Sequence, residues 1–251
     1  LMEAQRYPQD FDGIVAGAPA YNFGGLIAGF LASQQAMFPD PNQLKTSLLS
    51  LQELEIVETE YLARCDANDG LTDGILNNPL SCDFDVAELP ACSAIDSDSC
   101  FTESEIAALK SVYDGPTDSA GNQLFYGFPF GGEPDAGGWS TWTTGGAQDD
   151  SLNPYPNLHM FFSAEVMKYM AFHDAAFDYS TYNHDNYFHD IRTLTPTLSA
   201  TETDLTEFRD QGGKLLLYQG WSDAAITALG TVGYYEDVIA NDASAREDAR
   251  L

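Results

Sequence analysis

The chain has 251 residues, of which 44% are hydrophobic, so it is long enough to bury a sizeable core in one or two domains. Its formal net charge is −29, with ten lysine and arginine residues against 39 aspartate and glutamate residues. Nucleic acids and anionic membranes are bound through lysine and arginine, so this balance argues against both as partners. The uncharged run over residues 13–38 is interrupted by glycine, proline, asparagine and glutamine, which argues against a membrane span.

The first elements along the chain are a short helix and a strand. Residues 1–6 are typical of the end of a helix, and residues 13–16 are short and apolar between glycines, which predicts a buried parallel strand. Further on, Ser50 and Glu53 have the spacing of a capping box, which predicts a helix that runs to about Arg64.

The middle of the chain alternates between helical and irregular segments. Thr102 and Glu105 predict a second capped helix that ends near Gly115. Residues 118–156 are rich in glycine, proline and aromatic side chains without a clean period, which indicates long irregular loops. Residues 163–177 are predicted to be helical.

The last part of the chain returns to a sheet. Ser199 and Glu202 form a third capping-box pattern, and the predicted helix stops at Gly212. Residues 214–219 then predict a second buried strand. The sequence therefore predicts an α/β fold in which residues 1–22 and 199–251 form parts of one sheet-based core and residues 23–198 form an insertion.

An acidic loop lies inside this insertion, between Cys65 and Cys82. Calcium prefers six to eight oxygen ligands, which short aspartate side chains on a tightly turning backbone can supply. Gly70 and Gly74 allow the positive φ that such a turn needs. The loop does not follow the EF-hand pattern, and a solvated acidic turn is the alternative interpretation. The candidate ligands are the side chains of Asp66, Asp69 and Asp73 and the backbone carbonyls of Leu71 and Ile75.

The acidic loop and three further segments together resemble the tannase and feruloyl esterase family of α/β-hydrolases. The three segments are residues 3–20, residues 96–100 with the later 113–116, and residues 214–223, so the resemblance spans nearly the whole chain in the family's order. It implies an α/β-hydrolase core with a large, disulfide-bonded lid domain over residues 23–198. It also implies that the acidic loop binds a structural calcium ion.

Four cysteines allow three pairings. The resemblance and the proximity of the residues in sequence both favour Cys65 with Cys82 and Cys92 with Cys100. A disulfide that closes a loop of the first length contributes about 3 kcal/mol by constraining the unfolded chain. Disulfides indicate an oxidising compartment, so we expect a secreted or periplasmic protein.

The resemblance implies that Asp223 is the acidic member of a Ser-Asp-His triad. Asp223 follows the second predicted strand, where open α/β sheets place functional groups, although an aspartate that caps the next helix would look the same. The chain has no G-x-S-x-G motif, and its four histidines all precede Asp223, whereas the triad of this fold runs Ser, Asp, His. We therefore expect a fragment without the nucleophile and the base, inactive on its own.

The function that the resemblance implies is hydrolysis of small aromatic esters, of the feruloyl or galloyl type, through an acyl-enzyme. The alternative is a non-catalytic, calcium-stabilised binding module on the same fold. The sequence does not separate ferulate, gallate and terephthalate esters, and it does not indicate an oligomeric state. The aromatic residues of the irregular segment are candidates for the substrate wall, although ordinary packing is the more common role of such residues: Tyr126, Phe128, Phe130, Trp139 and Trp142.

Overall fold

The computed structural model describes residues 1–93, 99–146 and 154–251. Three parallel strands form one sheet in the order β1 (Gly13–Gly17), β2 (Lys214–Tyr218) and β3 (Ala249–Arg250). Gly13 pairs with Lys214, and the register continues to the last residue of each of the first two strands. The two predicted strands are therefore confirmed as parallel neighbours.

The prediction that both strands are buried is wrong for one face of the sheet. The side chains of Leu215 and Leu217 are buried, but Val15, Leu216 and Tyr218 are 67%, 47% and 62% exposed. Strand residues alternate between the two faces, and only one face of this small sheet is covered by the described residues.

Ten α-helices are present in the described part of the chain. They are α1 (Met2–Arg6), α2 (Phe23–Met37), α3 (Leu51–Cys65), α4 (Glu103–Tyr113), α5 (Trp139–Trp142), α6 (Leu158–Glu165), α7 (Tyr187–Asp190), α8 (Thr195–Leu198), α9 (Thr206–Asp210) and α10 (Ala228–Asn241). A π-helical turn, Val166–Ala171, continues α6. The helix predicted over residues 163–177 thus starts earlier, because Asn157 caps it by accepting a hydrogen bond from the amide of Met160. Its π-helical continuation ends at Ala171, before the predicted end.

The first two capping boxes are confirmed. The hydroxyl of Ser50 accepts a hydrogen bond from the amide of Glu53, whose carboxylate accepts one from the amide of Ser50, at the start of α3. Thr102 and Glu105 make the same pair of bonds at the start of α4. Each box satisfies two amides that a helix start would otherwise leave unpaired.

The third capping box does not form, and the helix predicted from Ser199 to Gly212 is wrong over its first half. Residues 199–204 are not helical, and α9 begins only at Thr206. The amide of Ala200 instead donates to the carbonyl of Tyr21, and the carbonyl of Ala200 accepts from the side chain of Gln5. These long-range hydrogen bonds hold the segment away from a helical path.

Two hydrophobic clusters organise the described residues. The larger one lies among α2, α3, α4, α6 and the loops around them, and it contains residues such as Leu31, Leu54 and Leu109, none of which is measurably exposed. The smaller one joins α1, α9 and α10 to the covered face of the sheet. The division into residues 1–22, 23–198 and 199–251 stays a prediction.

The disulfides join Cys65 to Cys82 and Cys92 to Cys100, the pairs that the sequence favours. One segment that carries the family resemblance includes Asp96, Ser97 and Asp98, and these three residues lie outside the described residues. Within the described ranges, no helix has both the length and the apolar character that crossing a membrane requires.

Candidate active site

Asp223 lies in the loop between β2 and α10, beyond the carboxyl end of the strand. One carboxylate oxygen, Oδ1, accepts hydrogen bonds from the amides of Ala225 and Ile226, at 2.9 and 3.0 Å. The other, Oδ2, accepts one from the side chain of Gln219 at 2.9 Å. Three donors therefore fix the orientation of this half-buried carboxylate before any partner reaches it.

Gln219 is itself fixed. Its amide nitrogen also donates to the carbonyl of Ile226 at 3.0 Å, and its amide oxygen accepts from the hydroxyl of Thr231 on α10 at 3.0 Å. The strand end, the loop and the following helix are thus joined through one side chain. The sequence predicted Asp223 but not this supporting role of Gln219, which needs the loop conformation to be known.

Segments that lie between β1 and β2 along the chain hold the Asp223 loop from the other side. His159 on α6 lies 3.0 Å from the carbonyl of Ala224, measured from its Nε2 atom. The hydroxyl of Thr227 donates to the carbonyl of Gly127. A glycine turn also lies against the loop: a Cβ added to Gly132, whose φ is +84°, would meet the Cβ of Ser222 at 2.8 Å. The loop therefore lies between the sheet on one side and α6 with the turn around Gly132 on the other.

The carboxylate of Asp223 has no histidine partner among the described residues. His159, the histidine nearest to it in the hydrogen-bond network, contacts a backbone carbonyl instead. Burial lowers the pKa of His159 to about 3, and the contact with Ala224 opposes this shift only in part. His159 is consequently neutral in ordinary buffers and does not act as the base of a triad with Asp223.

A cavity of about 280 Å³ lies between the Asp223 loop and the acidic loop. Its aromatic lining is Tyr61, Phe130 and Trp221, and Ser222 also faces it. The carboxylates of Glu58 and Asp135 also lie on its wall. Burial and the nearby charge of Asp135 raise the pKa of Glu58. Sequence reasoning missed this cavity because it is assembled from α3, the acidic loop, the glycine turn and the Asp223 loop.

A carboxylic acid lies buried behind this cavity. Glu133 is 1% exposed, and its Oε1 atom accepts hydrogen bonds from the hydroxyl of Tyr113 at 2.7 Å and the amide of Gly131 at 2.9 Å. Its Oε2 atom and the hydroxyl of Tyr61 have no hydrogen-bond partner among the described residues. Burial raises the pKa of Glu133, which favours the protonated form.

The residues predicted to form an aromatic wall lie in different surroundings in the structure. Trp139 is buried against Tyr113, and Phe130 packs on Tyr61 with ring centroids 5.4 Å apart. Tyr126 is 38% exposed but lies against α10. Trp142 lies 5.9 Å from the ring of His159 and stacks on Phe162 at 6.3 Å.

Phe162 was not among the predicted residues. Its position three residues after His159 on α6 places both on one side of the helix, which is the sequence signal that identifies it. With Trp142, which lies beside the ring of His159, it forms an aromatic pair.

The acidic loop is folded around Asp66. This carboxylate is 8% exposed, and its Oδ1 atom accepts hydrogen bonds from the amides of Asp73 at 3.3 Å and Gly74 at 3.1 Å. Gly70 and Gly74 have φ values of +95° and +81°, as the turn prediction requires.

The other two predicted carboxylates face nearby amides. Asp69 accepts from Leu71 and Asn77, and Asp73 accepts from Ile75. Oxygen donors of this kind fit a hard cation chemically. No group of three or more His, Cys, Asp or Glu side chains within residues 1–93, 99–146 and 154–251 is arranged to hold a metal ion, however. The calcium site stays a prediction.

The overall arrangement of this chain is similar to that of solved esterases. The crystal structure of feruloyl esterase B from Aspergillus oryzae superposes with a TM-score of 0.78 at 26% identity, covering 95% of this chain and 44% of that one. Residues 1–249 match the sequence model described as "Tannase and feruloyl esterase". The chain belongs to the tannase and feruloyl esterase family.

Two curated relatives are similar over almost the entire chain. An uncharacterised esterase of Xanthomonas campestris pv. campestris is 33% identical over 96% of this chain and 42% of its own length. A mono(2-hydroxyethyl) terephthalate hydrolase of Piscinibacter sakaiensis is 30% identical over 100% of this chain and 48% of its own. The chain thus spans less than half the length of these relatives.

Proposed function

We propose that this chain is the aspartate- and lid-bearing part of a serine carboxylic-ester hydrolase that acts on aromatic esters of the feruloyl or galloyl type. The observation that carries the proposal is the carboxylate of Asp223, held by Gln219 and two backbone amides beyond the end of a parallel strand. Open α/β sheets place catalytic groups at this position. The nucleophilic serine and the histidine belong, in this proposal, to sequence outside the 251 residues.

The chemistry follows from the role of Asp223. Its carboxylate accepts a hydrogen bond from the histidine, which selects the imidazole tautomer and stabilises the imidazolium. The serine hydroxyl attacks the ester carbonyl while the histidine takes its proton, and the alcohol leaves with that proton. Water then attacks the acyl-enzyme by the same route and releases the acid, so that the serine is regenerated.

The aromatic character of the substrate is supported by the cavity beside Ser222 and by an aromatic pair near His159. The cavity lined by Tyr61, Phe130 and Trp221 and the pair Trp142–Phe162 both offer flat apolar surfaces. Ligand sites combine such surfaces with a few polar groups. The names of the relatives, a feruloyl esterase and a terephthalate-ester hydrolase, agree with an aromatic acyl group.

We also propose that the acidic loop holds calcium as a structural ion. The residues that would bind it are Asp66, Asp69 and Asp73 through their carboxylates and Leu71 and Ile75 through their carbonyls. When bound, the ion would offset two of the three negative charges and fix the loop against α3, and it would take no part in ester cleavage. Two disulfides support a secreted or periplasmic location.

The test uses the full-length protein that contains these residues. We expect it to hydrolyse methyl ferulate, propyl gallate or a terephthalate monoester, and we expect Asp223→Asn to lower kcat by about 10⁴-fold, as the loss of a triad aspartate does elsewhere. The Gln219→Glu variant, which replaces a donor to Asp223 by a like charge, should also lose activity. A full-length protein that binds such esters without hydrolysing them would replace this proposal with the binding-module alternative.

A further inference from the structure

His159 lies at the junction between the insertion and the Asp223 loop. It is 1% exposed, and its imidazole stacks on Phe30 of α2 with ring centroids 3.9 Å apart and an interplanar angle of 16°. Phe128 and Trp142 flank the same ring, each at 5.9 Å. Aromatic packing on three sides therefore fixes the plane of the imidazole.

The two nitrogens of His159 have different partners, which determines the tautomer. Nε2 lies 3.0 Å from the carbonyl of Ala224, and a carbonyl oxygen only accepts, so Nε2 carries the proton. Nδ1 lies 3.5 Å from the hydroxyl of Thr143, which can donate to it. The low pKa of His159 agrees with this neutral form, since burial disfavours the cation.

The acceptor of this bond is the residue that follows Asp223. The Asp223 carboxylate is held by the amides of Ala225 and Ile226, so the peptide of Ala224 lies inside the turn that orients it. A shift of the Ala224 carbonyl would move the two amides and hence the carboxylate. Gln219 holds the sheet side of this turn, and His159 holds the side that faces the insertion.

We propose that His159 is a positioning residue for Asp223, which it serves by fixing the Ala224 carbonyl from the lid. The proposal rests on the proposed function, because it assigns a role relative to the triad aspartate. It differs from the role of an ordinary core histidine in one respect: the bond to Ala224, and not the volume of the ring, carries the effect.

Two substitutions separate the bond from the volume. In His159→Gln the amide nitrogen lies near the former Nε2 position and still donates to Ala224, whereas His159→Met has similar length and no donor. We expect the Met variant of the full-length enzyme to lose about 10²-fold in kcat with little change in KM, since a misplacement of about 1 Å at a catalytic group costs this much. We expect the Gln variant to recover most of kcat.

The pH profile supplies a readout that a change in stability alone does not move. A misplaced Asp223 stabilises the triad imidazolium less, so the acid limb of kcat/KM should shift to lower pH in His159→Met and return in His159→Gln. The matched control is His184→Met. His184 is a partly buried histidine of the insertion that bonds to Gln35 at 2.9 Å, and its substitution should leave kcat and the acid limb unchanged.

The outcomes distinguish the two proposals. If Asp223→Asn keeps full activity, the proposed function fails and the role of His159 fails with it. If Asp223→Asn is inactive but His159→Met keeps the wild-type kcat, or His159→Gln loses as much as His159→Met, the role of His159 alone is overturned.

A second measurement decides the matter if His159→Met does not fold. The measurement is NMR of protein labelled with nitrogen-15 at histidine, in which the signal of His159 is assigned by comparison with His159→Gln. His159 should keep a proton on Nε2 from about pH 5 to about pH 8, the range in which ordinary histidines titrate. A proton on Nδ1, or titration of His159 in this range, would overturn the proposal, because the bond to Ala224 would then be absent.

Discussion

Asp66 offers a test that separates two contributions to the stability of the acidic loop. In Asp66→Ala, the amides of Asp73 and Gly74 lose their acceptor. A hydrogen bond to a charged group contributes about 1.5–3 kcal/mol. Asp73 and Gly74 are exposed, so water replaces the lost acceptor in part, and we expect a loss of about 1.5–3 kcal/mol for the pair of bonds together.

This loss should appear with or without calcium, because it arises from backbone hydrogen bonds. Calcium binding adds a separate stabilisation of the wild type, of about 2.7 kcal/mol when the ion is present at one hundred times its dissociation constant. Relative to the wild type in the same buffer, Asp66→Ala should therefore be moderately less stable in EDTA and much less stable in calcium.

The matched variant is Asp66→Asn. The side-chain oxygen of this variant still accepts hydrogen bonds from the two amides but lacks the charge that a cation requires. The variant should therefore be as stable as the wild type in EDTA. Like Asp66→Ala, it should gain no stability from calcium. The assay is urea denaturation of the full-length protein in calcium and in EDTA, followed by circular dichroism. Identical midpoints of the wild type in the two buffers would refute the calcium site, and a wild-type midpoint for Asp66→Ala in EDTA would refute the hydrogen-bond argument.

Three further predictions concern a helix cap, a buried acid and an aromatic wall. Ser50→Ala should destabilise the protein by about 1 kcal/mol in urea denaturation, because it removes a formed cap; an unchanged midpoint would contradict this. The raised pKa of Glu133 means that the folded state binds its proton more tightly than the unfolded state does, so its contribution is fully present below the ordinary value of 4.5 and is lost as pH rises through the folded pKa. Relative to the wild type, Glu133→Gln should therefore gain stability as the pH is raised from 4 to 8 in a series of urea titrations, and a constant difference across that series would count against the buried acid. Phe162→Ala should raise KM for methyl ferulate more than for ethyl acetate in steady-state assays. The control Phe188→Ala also truncates an exposed phenylalanine and should change KM for neither substrate. An equal rise of KM for both esters would show that Phe162 does not contact the acyl group.

The sequence predicted those parts of the fold that depend on neighbouring residues. The capping boxes at Ser50 and Thr102 formed because each needs only four consecutive residues and a following helix. The same pattern at Ser199 failed because Gln5 and Tyr21, nearly two hundred residues earlier, bind the backbone of Ala200. No local signal reports such a competitor.

In the candidate site, too, the sequence predicted what depends on neighbouring residues and missed the contacts between distant segments. Asp223 was found from the strand before it and from the resemblance to a family. The cavity beside Ser222 and the contact of His159 with Ala224 join segments that are far apart in sequence, so they became visible only in the fold. Predicting the contact of His159 would have required the packing of α6 on α2, and predicting the cavity would have required the position of α3 next to the Asp223 loop. Patterns of single helices give neither.

The pairing of β1 with β2 has a consequence for the order of folding. The two strands are hydrogen-bonded neighbours, yet about 200 residues separate them along the chain. The entropy lost on bringing two chain positions together grows with the length between them, and non-local pairing slows folding. We therefore expect the insertion to become compact first and to shorten the effective distance between the strands. The disulfide-bonded insertion would then act as a folding scaffold, and the Asp223 loop would acquire its shape among the last parts of the molecule.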